Sequence, residues 1–114
     1  TSPKSIDYQD PFLLKIIELC KKQGIKPIVI ELPGSNGNQN DLPFEYSAKL
    51  KNGAIQKVYN LNNNAVASKI LNPATDWLAQ DHLNEYGGTK ITTYILNQVL
   101  AKELNNPLSN QDKP

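Results

Sequence analysis

The sequence contains no arginine, and all twelve of its cationic side chains are lysines. The planar guanidinium group of arginine clamps phosphates and carboxylates through paired hydrogen bonds, a geometry that lysine cannot reproduce. The charges also nearly balance, because the 12 lysines are matched by 11 aspartates and glutamates. A dedicated nucleic-acid or phosphate-clamping function is therefore disfavoured.

Other residue classes are equally scarce. The single cysteine, Cys20, excludes a disulfide within the chain, and its apolar neighbours are typical of a buried thiol. No apolar run approaches the roughly 20 residues of a membrane-spanning helix, and no signal peptide is visible. Methionine is absent and the chain starts at Thr1, so we expect that something was removed from its front.

Two segments have clear helical patterns. In "DPFLLKIIELCKKQG", apolar residues recur every three or four positions, Asp10 is a plausible cap, Pro11 suits the first helical position, and Gly24 ends the helix. The second helix is predicted from Gly88 to Leu104 with Thr89 as its cap. Between the two helices, "FEYSAKLKNG" and "NNNAVASKILN" are each predicted to form a short helix.

Two strands are predicted between these helices. The run Ile28–Ile30 is short, apolar and β-branched, which favours a strand buried on both faces, and "AIQKVYNLN" is a second candidate. Strands that alternate with helices indicate an α/β fold with a parallel sheet. Two strands cannot cover two amphipathic helices, so we expect further strands from a missing N-terminal part or another subunit, or else an undetected strand within the chain.

The stretch "DWLAQDHLNEYGG", Asp76–Gly88, contains the single histidine, His82. This residue could be a catalytic base, a metal ligand or a polar residue at a loop-to-helix junction. Asp76, Asp81 and Glu85 supply oxygen donors nearby, but the spacing lacks the paired histidines or cysteines of strong zinc sites. We therefore predict no metal and no other cofactor.

The order of these segments resembles the C-terminal half of an SGNH (GDSL-type) hydrolase, including the microbial branch of polysaccharide O-acetylation proteins. "FLLKIIELCKKQGIKPIVIELP" is similar to that family's helix and following strand, and "DHLNEYGGTKITTYILNQVL" is similar to its histidine loop and final helix. The resemblance implies a three-layer α/β/α, flavodoxin-like fold. Residues 10–104 would be the C-terminal part of one such domain, residues 1–9 an irregular lead-in and residues 105–114 a flexible tail.

The resemblance implies serine-based ester chemistry in which His82 is the general base. The family's nucleophile lies in an N-terminal Gly-Asp-Ser motif that is absent here, so the serine would come from outside this chain. The family's acid normally precedes the histidine by three residues, where this chain has Ala79. Asp76 or Asp81 would then orient the imidazole, with Asp76 slightly preferred. Ser35 lacks the context of a nucleophile elbow.

Two further residues are candidates for the site. Trp77 is either a packing anchor or a substrate contact, and Glu31 ends a predicted parallel strand, where α/β sites collect. The expected substrate is an ester, such as an O-acetylated carbohydrate, and the family suggests an extracytoplasmic location. The alternative is a non-catalytic α/β module that binds a carbohydrate or a protein. The asparagines at positions 60 and 62–64 are predicted only to form a turn.

Overall fold

A four-stranded mixed β-sheet is the centre of the structure, a computed structural model that describes residues 5–8, 10–35 and 37–105. The strands lie in the order β1-β3-β4-β2 and comprise β1 Ser5–Tyr8, β2 Val29–Glu31, β3 Glu45–Leu50 and β4 Ile55–Asn60. The helices are α1 Pro11–Lys22, α2 Asn64–Ile70, α3 Glu85–Tyr94, a π-helical stretch Ile95–Leu100 and α4 Ala101–Leu104. A separate two-stranded hairpin consists of β5 Trp77–Ala79 and β6 His82–Leu83.

Helix α1 begins where the sequence predicts. The Asp10 carboxylate accepts hydrogen bonds from the backbone N–H groups of Phe12, at 2.9 Å, and Leu13, at 3.4 Å. Pro11 occupies the first helical position, where its missing N–H would have had no partner within the helix. Beyond the helix, Gly24 adopts a φ of 71°, which a residue without a β-carbon reaches at little cost.

Strand β3 contradicts the prediction of a short helix in "FEYSAKLKNG". Its side chains alternate between the two faces of the sheet, with Tyr46, Ala48 and Leu50 buried. This period of two is the strand pattern, and burial of that face outweighs the local helix preference. After β3 the chain turns through Asn52 and Gly53, with Gly53 at a φ of 86°, and returns as the antiparallel strand β4.

The sheet also corrects the predicted number and direction of strands. Strands β2 and β4 are parallel, as predicted, and β1 is parallel to β3, but β3 and β4 are antiparallel. The mixture of helices and strands agrees with the predicted α/β class, whereas the expectation of a wholly parallel sheet, with two strands from this chain, is wrong. The described residues supply four strands of this sheet, one of them in the predicted lead-in, so the strand count no longer requires strands from elsewhere.

Apolar side chains cover both faces of this sheet. Val58 and Tyr59 are consecutive buried residues of β4 and therefore point to opposite faces. Val58 packs with Tyr46 and Ala48, whereas Tyr59 belongs to a larger cluster with Leu61, Leu71, Ile91 and Val99. The larger cluster joins the sheet to α2, α3 and the π-helical stretch, and this packing holds the C-terminal helices in place.

The C-terminal helix begins earlier than the sequence predicts. Helix α3 starts at Glu85, and its N-cap is Asn84 rather than Thr89. Thr89 lies inside the helix, where its hydroxyl donates a 2.8 Å hydrogen bond to the Glu85 carbonyl oxygen. Residues 106–114, most of the predicted tail, lie outside the described residues. No helix within the described ranges is long and apolar enough to cross a membrane.

Candidate functional site

His82 is exposed at the start of β6, directly after the turn of the β5–β6 hairpin. It pairs with Ala79 on β5, and the hairpin has a register shift between Trp77 and Ala79. Among the described residues, the imidazole of His82 interacts electrostatically with the carboxylate of the adjacent Asp81. The hairpin therefore presents the ring to solvent.

Asp81 ties the hairpin turn to the loop that follows β2. Its carboxylate accepts hydrogen bonds from the Ser35 backbone N–H at 2.7 Å, the Ser35 hydroxyl at 3.0 Å and the Asn38 side-chain amide at 3.0 Å. The Ser35 N–H, followed by the Asn38 amide and the Ser35 hydroxyl, lowers the pKa of the Asp81 carboxyl against the cost of desolvation, and the His82 charge adds to this effect. Asp81 also has a φ of 59°, a left-handed conformation that aspartate tolerates better than most residues.

Asp76 is only 1% exposed and faces helix α3. Its carboxylate accepts hydrogen bonds from the Asn72 backbone N–H at 2.7 Å, the Lys90 ammonium at 2.7 Å and the Thr75 hydroxyl at 3.1 Å. The Asn72 N–H and then the Lys90 ammonium lower the pKa of the Asp76 carboxyl, although desolvation opposes them. These donors occupy the carboxylate, so it holds α3 against the segment that precedes the hairpin.

Glu31 lies at the carboxyl end of β2, half-buried, and joins a polar network. Its carboxylate accepts hydrogen bonds from the Tyr46 hydroxyl at 2.7 Å and from the side-chain amides of Asn40 at 3.0 Å and Asn62 at 3.2 Å. Its backbone oxygen accepts a 2.9 Å bond from the Leu61 N–H, which continues the pairing with β4. The Glu31 side chain is thus held by several hydrogen bonds at the end of two parallel strands.

Four asparagines, which bond to Glu31 or to one another, form what we call the asparagine cluster: Asn38, Asn40, Asn60 and Asn62. Asn60 is 0% exposed, and its amide donates to Asn40 Oδ1 at 2.7 Å and to the Leu42 carbonyl oxygen at 3.1 Å. The amide of Asn62 donates to the Asn38 carbonyl oxygen at 3.2 Å as well as to Glu31. Each buried amide has a partner, which removes most of the cost of placing it away from water.

The asparagine cluster connects the predicted site residues to one another. Glu31 bonds to Asn62, Asn62 bonds to Asn38, and Asn38 bonds to Asp81, the neighbour of His82. This places Glu31, Asp81 and His82 in one connected region at the carboxyl ends of β2 and β4. Asp76 instead bonds to Asn72, Thr75 and, on α3, Lys90.

Three residues that follow His82 in the motif have structural roles. Leu83 packs against the larger core cluster, and Asn84 accepts 3.0 Å bonds from the N–H groups of Tyr86 and Gly87 at the start of α3. A β-carbon added at Gly87 would overlap the Asp76 carbonyl oxygen and lie 2.8 Å from Leu83 Cδ2. Close packing of α3 on the hairpin segment therefore requires glycine at position 87.

Trp77 is half-buried and packs against the same core cluster. This contact agrees with one of the two roles predicted for Trp77, that of a packing anchor for the loop. The neighbouring Leu78 is exposed instead, because successive residues of β5 point in opposite directions.

Sequence reasoning missed most of the partners in this region. Ser35 and Asn38 were not assigned to the site, yet both bond to Asp81. Asn60 and Asn62 were read as turn residues. One signal was available: the two asparagines alternate at the end of a predicted parallel strand, where polar side chains collect. Lys90 gave no signal, because only the packing of α3 brings it to Asp76.

The described residues bring together no group of three or more histidine, cysteine, aspartate and glutamate side chains suited to a metal ion. No protein-family model, curated protein or solved structure matches this chain.

Proposed function

We propose that His82 is the general base of an ester-hydrolase or O-acyltransferase site of the SGNH type, acting on an ester such as an O-acetyl group of a carbohydrate. The observation that carries this proposal is the division of roles within His-Leu-Asn-x-x-Gly. Leu83 packs, Asn84 caps and Gly87 permits close contact, whereas His82 is exposed. Structural demands account for the other three residues but not for the histidine.

In this proposal the imidazole takes a proton from a serine hydroxyl as the serine attacks the ester carbonyl. Asp81 serves as the acid, because it is ionised, adjacent to His82 and near enough to interact with its charge. It would stabilise the imidazolium mainly through space, since its oxygens are already bonded to Ser35 and Asn38. Asp76 acts as a positioning residue that holds α3 beneath the hairpin.

The serine would come from a segment outside this chain, and β2 offers a place for it. Within the described residues β2 pairs on one side only, with β4. Its apolar run Ile28–Ile30 is the pattern of a strand covered on both faces, which is typical of parallel sheets. A parallel strand added at this edge would end beside Glu31, in the region of His82, and would extend the sheet toward a three-layer, flavodoxin-like domain.

The test is turnover of a simple acetyl ester by the complete protein that contains this chain. We expect His82→Gln to reduce kcat/KM by about 10³-fold or more, as loss of a catalytic base does in related chemistry. Gln80→Ala, an exposed position in the same hairpin turn, is the matched control and should leave the rate unchanged. Asp81→Asn should move the acidic limb of the pH–rate profile to lower pH, because the imidazolium loses its nearby anion. Full activity in His82→Gln would refute the proposal.

A non-catalytic module that binds a carbohydrate or protein is the second candidate. It is favoured by the occupied carboxylates, since both Asp76 and Asp81 bond to groups other than the imidazole. The asparagine cluster also offers amide groups of the kind that bind sugar hydroxyls. This candidate predicts ligand binding without turnover, and binding that survives His82→Gln.

A further inference from the structure

A cavity of about 270 Å³ lies at the opposite end of β2 and β4 from His82. Its walls come from the end of α1, the segment leading into β2, the first residues of β4 and helix α4. Its charged lining consists of Lys21, Lys26, Lys57 and Glu103. This cavity is separate from the proposed ester site and does not depend on it.

Glu103 anchors the polar wall of this cavity. Its side chain is 5% exposed and forms ion pairs with Lys26 and Lys57, each at 2.9 Å, while the Tyr59 hydroxyl also donates to it. One ammonium group would balance this buried carboxylate. Two are bonded to it, and Lys21 lines the cavity as a third, so the lining has more positive charge than Glu103 requires.

The rest of the lining is apolar and partly open to water. Ile25 and Ile55 line the cavity and are 57% and 56% exposed, respectively, although large aliphatic side chains favour burial. Pro27 and Ile28 extend the same wall. A ligand that matches both walls has a negative charge at one end and a short hydrocarbon body at the other.

We propose that this cavity binds a small organic carboxylate, with its charge among the three lysines and its apolar body against Ile25 and Ile55. Lysine ammonium groups are point charges that suit a compact monoanion, and a cavity of this volume is smaller than the sites that hold drug-sized ligands. The ligand would lie over the ion pairs of Glu103 without breaking them.

The experiment is an NMR titration of the full chain with butyrate at constant ionic strength, followed through the Tyr59 ring and the Ile55 methyl groups. We expect saturable shifts, with weaker binding of formate, which has the charge but no hydrocarbon body. Lys21→Gln should weaken butyrate about fivefold, the effect of one partly exposed charge. Lys21 is not bonded to Glu103, so this variant should fold normally.

Lys22→Gln is the matched control, because it removes the same charge from the adjacent residue of α1, and Lys22 does not line the cavity. It should bind butyrate as the unmodified chain does. Shifts that rise linearly without saturation, or equal weakening by Lys21→Gln and Lys22→Gln, would overturn the proposal.

Discussion

The two glycines of "EYGG" offer a sharp test of how α3 is seated on the hairpin. A β-carbon at Gly87 would meet the backbone oxygen of Asp76 and the Leu83 side chain, whereas one at Gly88 would meet no atom within 4 Å. Both residues lie in the first turns of α3. Gly87→Ala and Gly88→Ala therefore make the same chemical change in one helix and differ in what surrounds the new methyl group.

The contact at Gly87 determines the expected magnitude. A backbone oxygen cannot rotate away as a side chain can, so α3 must shift from the hairpin, and overpacking of this kind costs about 1–3 kcal/mol. Replacing glycine by alanine within a helix returns up to about 1 kcal/mol in either variant. We therefore expect Gly88→Ala to be neutral or slightly stabilising. The free energy of unfolding of Gly87→Ala should be lower than that of Gly88→Ala by about 2 kcal/mol.

Urea unfolding followed by circular dichroism measures this difference. With a slope of about 1–3 kcal/mol per molar urea, the two midpoints should be separated by roughly 1 M. The comparison between variants cancels the helix-propensity gain, leaving the steric contact. If Gly87→Ala were as stable as Gly88→Ala, the close approach of α3 to Asp76 would be refuted, together with our explanation of the glycine in the motif.

Two further predictions concern charged groups. Burial opposes ionisation of Glu103, but hydrogen bonds from Tyr59, Lys57 and Lys26 outweigh it and lower its pKa to about 2. A carboxyl whose pKa is lowered in the folded state stabilises the fold at pH values above its unfolded pKa, and this contribution is lost as pH falls toward about 2. Between about pH 5 and pH 2 we therefore expect the free energy of unfolding to fall by on the order of 1–2 kcal/mol more in the unmodified chain than in Glu103→Gln. The difference is no larger because water screens the lysines. Equal pH dependence in urea unfolding would contradict the ion pairs. Asp81→Asn should speed hydrogen exchange at the Ser35 amide, because a charged acceptor is lost, whereas the exposed Asp41→Asn should not; unchanged exchange would show that Asp81 does not hold this loop.

Local patterns predicted the elements whose residues interact mainly with their own neighbours in sequence. Helix α1 follows from Asp10, Pro11 and the apolar period, because a cap and a helical face are properties of consecutive residues. Strand β3 was missed although Tyr46, Ala48 and Leu50 alternate with polar residues. Four of its six residues, Glu45, Ala48, Lys49 and Leu50, are good helix formers, and packing against the neighbouring strand β4 outweighs that preference.

The site was predicted only in part, for a related reason. The motif placed His82 shortly before the final helix, which the structure confirms, but Asn84 rather than Thr89 caps that helix. Asp76 and Asp81 were indistinguishable as partners from their spacing alone. The structure separates them, since Lys90 reaches one and Ser35 the other, and both contacts join residues more than ten positions apart.

The sequence by itself determined the α/β class, the two main helices, the parallel pairing of β2 with β4, and the stretch that contains the histidine. Each depends on periodicity, caps or residue type within a short segment. Only the tertiary structure decided that the sheet has four strands of mixed direction, that the asparagine cluster links Glu31 to Asp81, and that Asp76 faces α3. These features depend on contacts between distant segments, whose energies come from burial and from hydrogen bonds that form only after the chain has folded.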